Sequence, residues 1–216
     1  MILSDFLTEI RQDFLDDSVL ENLWSDAQLL RFIKEAINEL CVRASVLNKS
    51  SRVFVKAGIA QYDIEPTIRQ IYTAKLNLSD RALIQTTLPE LELTRGISWR
   101  TRTGTPTHYV RKRHVIILFP VPTVADTLIV WSSNLTDSDD VADDLELIDE
   151  AYHKCLMYYI AYKALLLNDA DAGQQKKALD YFAMFENIAG ARHTAKHDQF
   201  KFETPIYGSS VPFRMC

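Results

Sequence analysis

The chain has 216 residues, 47% of them hydrophobic and 25% charged, with a formal net charge of −5. This suits a soluble globular protein with one large core, or a core plus an insertion. The acidic balance excludes a whole-protein affinity for nucleic acid, so any basic function has to be local.

The opening "MILSDFLTEI" has no cationic segment and acquires acids at once, which argues against a signal peptide and for a protein made and assembled in a cytoplasm. No apolar run approaches the ~20 residues of a membrane span, so no membrane partner is expected. The first helix is expected to start after Ser4 as N-cap, with Phe6, Ile10 and Phe14 repeating every four residues. "FLDDSVLENLW" reads as a break. In "WSDAQLLRFIKEAINELCVRASVL", Ser25 and Gln28 form a capping box, and Trp24 and Leu29 a hydrophobic staple. Leu29, Ile33, Ala36, Ile37, Leu40, Cys41 and Ala44 then mark one core face. Phe32 and Val42 lie off that face and hint at a second, partner-facing surface.

From Ser50 the period changes. "RVFVKAGIAQYDI" reads as two short strands about Gly58, and "RQIYTAKLN" as another. Thr87-x-x-Glu90 opens a short helix before Gly96. "THYV", "HVIILF" and "DTLIVW" are three further β-rich pieces separated by basic or proline-containing turns. The helical period returns in "DDLELIDEAYHKCLMYYIAYKALLL", apolar on two faces, so this helix is either central to its own core or shared with a neighbour. A last helix, roughly 174–195, should pack antiparallel to it after a short link.

The expected fold is α+β and mainly α: an antiparallel helical bundle with an inserted small antiparallel β block and an extended C-terminal tail. The expected divisions are N-terminal helices at 1–49, the β-rich block at 50–134, a C-terminal helical pair at 135–198 and a docking tail at 199–216. That tail carries Phe200, Phe202, Ile206, Tyr207, Val211 and Phe213, too apolar for a solvated segment. It either folds back on its own domain or, as this reading favours, docks on another chain.

Catalytic and cofactor signatures do not assemble. Three cysteines make no disulfide framework, and Cys41 and Cys155 sit in apolar helical patterns as buried thiols. His193-x-x-x-His197 has metal-ligand spacing but lacks the glutamate of a zincin. Asp137 and Asp139 start an EF-hand-like pattern that Val141 and Ala142 break. Gly96 to Gly104 is no P-loop, and there is no Gly-x-Ser-x-Gly elbow. No metal, cofactor or catalytic residue is therefore expected.

Charge is distributed more informatively. From Arg95 to Ala125 there is no acid, and the basic residues include Arg111, Lys112 and Arg113. From Asp126 to Glu150 there is no base, and the acids include Asp139, Asp140, Asp143 and Asp144. Acids gather naturally at a helix N-terminus, and cations can simply solvate a hairpin turn. The sharper alternative is a pair of complementary patches that set register between copies.

"LSDFLTEIRQDFLDD" followed by "WSDAQLLRFIKEAINEL" resembles the opening of tailed-bacteriophage head-to-tail adaptor (connector) proteins. "GTPTHYV", "ILFPVP" and "TLIVW" resemble their β block, and "LIDEAYHKCLMYYIAYKALLLNDAD…ALDYFAMF" their C-terminal helical pair. The resemblance implies a structural virion protein at the head–tail junction, assembled in the host cytoplasm into a ring of about twelve copies. Such a ring joins the portal protein to a tail tube or nozzle protein and lets DNA pass through its lumen without specific binding. Two alternatives stay open: a tail-associated peptidoglycan hydrolase, and a local nucleic-acid-binding module built on Arg95 to Arg113.

Overall fold

A computed structural model describes residues 2–15, 23–79, 81–137, 141–167 and 172–190. Helix α1 (Leu3–Glu9) runs into a π-helical turn over Ile10–Phe14, and the stripe of Phe6, Ile10 and Phe14 is buried along both. Ser4 is not the cap. Ile2 holds that position with no side-chain hydrogen bond, and Ser4 lies inside the helix. Helix α2 (Asp26–Ala44) starts at the expected capping box: the Ser25 hydroxyl accepts from the Gln28 amide at 3.3 Å, and the Ser25 amide donates to Gln28 Oε1 at 3.0 Å. Its core face is buried as its spacing requires. Phe32, expected to face a partner, is buried too, with its ring edge-on to Trp24 at 6.1 Å.

The long second helical stretch is broken. Helix α4 (Val141–Leu147) stops before Ile148, and Asp149 accepts from the Ala151 amide at 2.9 Å to start a 3-10 turn that leads into α5 (His153–Leu167). Buried His153 spans the break, its Nε2 lying 3.2 Å from the carbonyl oxygens of both Leu145 and Ile148. Helix α6 (Ala172–Ala189) packs antiparallel on α5: Tyr159 meets Phe185 at 5.0 Å and Tyr162 meets Phe182 at 4.7 Å, in opposite chain order. Gly190, with φ of 79°, ends α6 by donating its amide to Glu186. The helix is described to Ala189, and the expected end at 195 lies outside the described residues. Cys155, Leu156, Met157, Ile160, Ala161 and Ala164 are all buried in the chain's own helical core. The two-faced helix is thus central to its own core, with no neighbouring chain needed to cover it.

Between the helices the chain forms β1 (Asn48–Val55), β2 (Gln61–Asp63), β3 (Ile68–Leu76), β4 (Ile84–Gln85), helix α3 (Leu88–Arg95), β5 (Thr103–Gly104), β6 (His108–Lys112), β7 (Val115–Phe119), β8 (Val121–Pro122) and β9 (Asp126–Asn134). The strands on either side of Gly58 do not pair with each other. β1 joins β9 and β3 in an antiparallel sheet ordered β1-β9-β3, whereas β2 joins a sheet ordered β2-β7-β6-β4. β4 pairs parallel to β6, and β5 parallel to β8 as a third, two-stranded sheet. Thr87 caps α3 as expected, accepting from the Glu90 amide at 3.3 Å.

These sheets correct the expected fold class. The structure is about 49% helical and 27% strand, with six helices and three sheets among the described residues, and is not a helical bundle carrying a small β block. The β residues build cores of their own. Tyr109, Ile116 and Leu118 on one face of the four-stranded sheet meet Ile71, Ala74, Leu128 and Val130 of the three-stranded sheet. Val110, Ile117 and Phe119 on its other face are covered by Leu91 of α3 and by Trp99 of a 3-10 turn at Ile97–Thr101. β7 is buried on both sides, which is why "VIILF" is an unbroken apolar run and not an alternating one.

Polar side chains weld the β part to the helices. Arg69, at the start of β3, donates to the Cys41 carbonyl at 3.1 Å and to Ser45 Oγ at 3.3 Å, closing the C-terminus of α2. Arg111 of β6 in turn donates to the carbonyl oxygens of Arg69 and Ile68. Asn38 of α2 accepts from the Thr136 amide at 2.9 Å. Lys49 of β1 places its ammonium 2.5 Å from Asp144 Oδ1, and Asp144 is fully buried on α4.

Two outcomes follow from this packing. Arg111→Ala leaves buried carbonyls unpaired and should cost about 2–3 kcal/mol in urea unfolding, whereas Lys112→Ala should stay within about 0.5 kcal/mol. Burial pushes the thiols of Cys41 and Cys155 from 9.0 up to about 11. Both should stay protonated and resist alkylation at pH 8 until the chain unfolds, and the stability they contribute should fade as pH rises from about 9 through 11.

Candidate functional site

The basic hairpin exists, but its three cations do different things. β6 and β7 pair down to Lys112 and Val115, leaving Arg113 and His114 as the turn. Arg111 faces inward as part of the weld, and burial pulls its pKa down from the ordinary guanidinium value. It is a structural residue, which corrects its expected role as an assembly contact. Lys112, Arg113 and His114 are exposed, and among the described residues no acid pairs with Lys112 or Arg113. Arg113 takes a left-handed φ of 54°, a conformation that costs a non-glycine residue roughly 1 kcal/mol.

The hairpin tip forms one wall of a pocket of about 730 Å³. Its apolar floor is Leu88, Val115 and Ile117, and Trp99 and Arg100 form the facing wall. Trp99 is only 4% exposed, its ring lies edge-on to Phe119 at 6.0 Å, and its indole Nε1 has no hydrogen-bond partner among the described residues. The Arg100 guanidinium stacks on that ring at 5.4 Å and reaches Glu92 at 3.0 Å. His108 lies nearby, and burial and the Arg95 charge hold its pKa down. Trp99 was not singled out from the sequence. The one visible signal was "SWRTR", a tryptophan set among cations.

The expected acidic patch divides as well. Asp143 is exposed, whereas Asp144 is the buried partner of Lys49 and cannot serve an interface, a second correction. Asp139 and Asp140 lie outside the described residues. Exposed Glu146, Asp149 and Glu150 extend the acidic surface, and Leu147 stands 60% exposed among them. The docking-tail residues Phe200, Phe202, Ile206, Tyr207, Val211 and Phe213 also lie outside the described residues, as do His193 and His197. Among the described residues no group of histidine, cysteine and acidic side chains is placed to hold a metal ion, and no helix is long and apolar enough to cross a membrane.

Several large apolar side chains remain uncovered. Leu93 and Ile97 beside the pocket are 87% and 86% exposed. On the outer face of the three-stranded sheet Phe54 is 80% exposed, with Tyr72 and Trp131 also open and Lys75 5.8 Å from the Trp131 ring. Patches of this kind mark interaction surfaces.

The sequence model of one protein family, described as SU10 adaptor protein, matches residues 1–206. No curated protein matches the chain. The match spans helices, sheets and both charged surfaces, and such adaptors are structural virion components that contact head and tail proteins in the head–tail region. The chain belongs to the SU10 adaptor family of phage head-to-tail adaptors.

Proposed function

We propose that the protein forms a ring of about twelve copies that joins the portal to tail tube or nozzle proteins and continues the DNA channel. The observation that carries this reading is the separation of unlike surfaces on one fold. Lys112 and Arg113 project from the β part, while Asp143, Glu146 and Glu150 project from the helical part. Two unlike patches on one chain join head to tail, and such contacts close into rings when the rotation permits. Uncovered Leu93, Ile97 and Phe54 add apolar area for the portal and tail partners.

The net charge of −5, repeated around a ring, makes an acidic assembly. An acidic conduit lets DNA slide, because each phosphate neutralised by a cation would add affinity that has to be broken on ejection. The role needs no chemistry of its own, in keeping with a structural adaptor assembled in the host cytoplasm.

Electron microscopy of the protein mixed with its portal protein should show rings on the portal; a strict monomer that never binds portal contradicts the proposal. Deleting residues 199–216 should leave the helical circular-dichroism signal intact and weaken assembly. Wild-type assembly by the truncated chain would remove the docking role of the tail.

A further inference from the structure

The pocket beside the hairpin carries two exposed cations at its rim, Lys112 and Arg113, with no acidic partner among the described residues. Those cations call for an anionic group in an occupant, and the apolar lining of Leu88, Val115 and Ile117 calls for a hydrophobic group beside it. A phosphate backbone would meet the cations but leave Leu88, Val115 and Ile117 uncovered, so a peptide fits better than nucleic acid.

One peptide of that chemistry is on this chain. Leu147 stands exposed at the end of α4, flanked by exposed Glu146 and Glu150. α4 is held in its own subunit by buried Val141, Asp144 and Leu145 and by the His153 contacts to its last carbonyls, so its outward residues are left for another chain. We propose that the pocket receives the α4 segment of a second copy, with Leu147 on the apolar floor and the flanking carboxylates held by Arg113 and Lys112. The inference rests on the ring reading and specifies the contact between neighbouring copies.

The test joins Arg113→Cys to Glu146→Cys in a Cys216→Ser background, assembled on the portal protein and mildly oxidised. A ladder of disulfide-linked multimers, absent from either single variant, is expected. Arg113→Gly should keep or raise thermal stability while lowering ring yield about tenfold at fixed concentration. Adding Glu146→Arg to Arg113→Glu should restore part of the yield. Wild-type rings that show no cross-link and no loss with Arg113→Gly overturn this contact and leave the ring reading standing. Absence of wild-type rings overturns both. Titration with a short DNA duplex at low salt covers the remaining occupant: binding abolished by Arg113→Gly, with no cross-link, would assign the pocket to nucleic acid and overturn the proposal.

Discussion

The architecture depends on a half-buried arginine. Arg111 sits at the end of a β-hairpin, yet its guanidinium reaches the backbone carbonyls that begin β3, and Arg69 on that same stretch closes the end of α2. Two side chains thereby tie the four-stranded sheet, the three-stranded sheet and the helical core into one unit. The weld is polar because it joins backbone ends, whose carbonyls need donors wherever water is excluded. Lys49 and Asp144 add a second tie between β1 and α4. These ties give the exposed charges a fixed geometry, with the hairpin tip on one side and the outward face of α4 on another.

That geometry is what a head-to-tail assembly requires. Opposite patches on a flexible chain would find each other within the same molecule. Held apart on one rigid fold, they would be met by neighbours in the proposed ring, and the angle between them would set how many copies close it. Charge at exposed rims contributes mainly to register and encounter rate. Affinity has to come from apolar anchors such as Leu147, Leu93 and Phe54, which the monomer leaves open.

Local signals in the sequence carried through to the structure where they depended on near neighbours. The Ser25 capping box, the Thr87 cap and the α2 core stripe are contacts within a few residues, and all three formed. The longer strands read in "RQIYTAKLN", "THYV", "HVIILF" and "DTLIVW" formed too, but how the strands pair did not show in the sequence. β2, β4, β5 and β8 have only two or three residues each, and their strand character comes from partners elsewhere in the chain. The β part therefore read as a small block, when in fact it encloses cores of its own. Asp149 broke what looked like one long helix because a capping aspartate inside an apolar period is hard to weigh without the packing around it. The charge runs were legible as runs, but not which members were structural. Arg111 and Asp144 look no different in sequence from Arg113 and Asp143; burial alone separates them. Trp99 was invisible as a pocket residue because lining a cavity is a property of the fold.

The most direct measurement is a cryo-electron-microscopy reconstruction of the head–tail junction in intact virions, at a resolution that traces side chains. The account predicts a closed ring of this chain between portal and tail, with each hairpin tip at 112–114 against the acidic α4 surface of its neighbour. A junction without the chain, or copies that make no contact with one another, would contradict it.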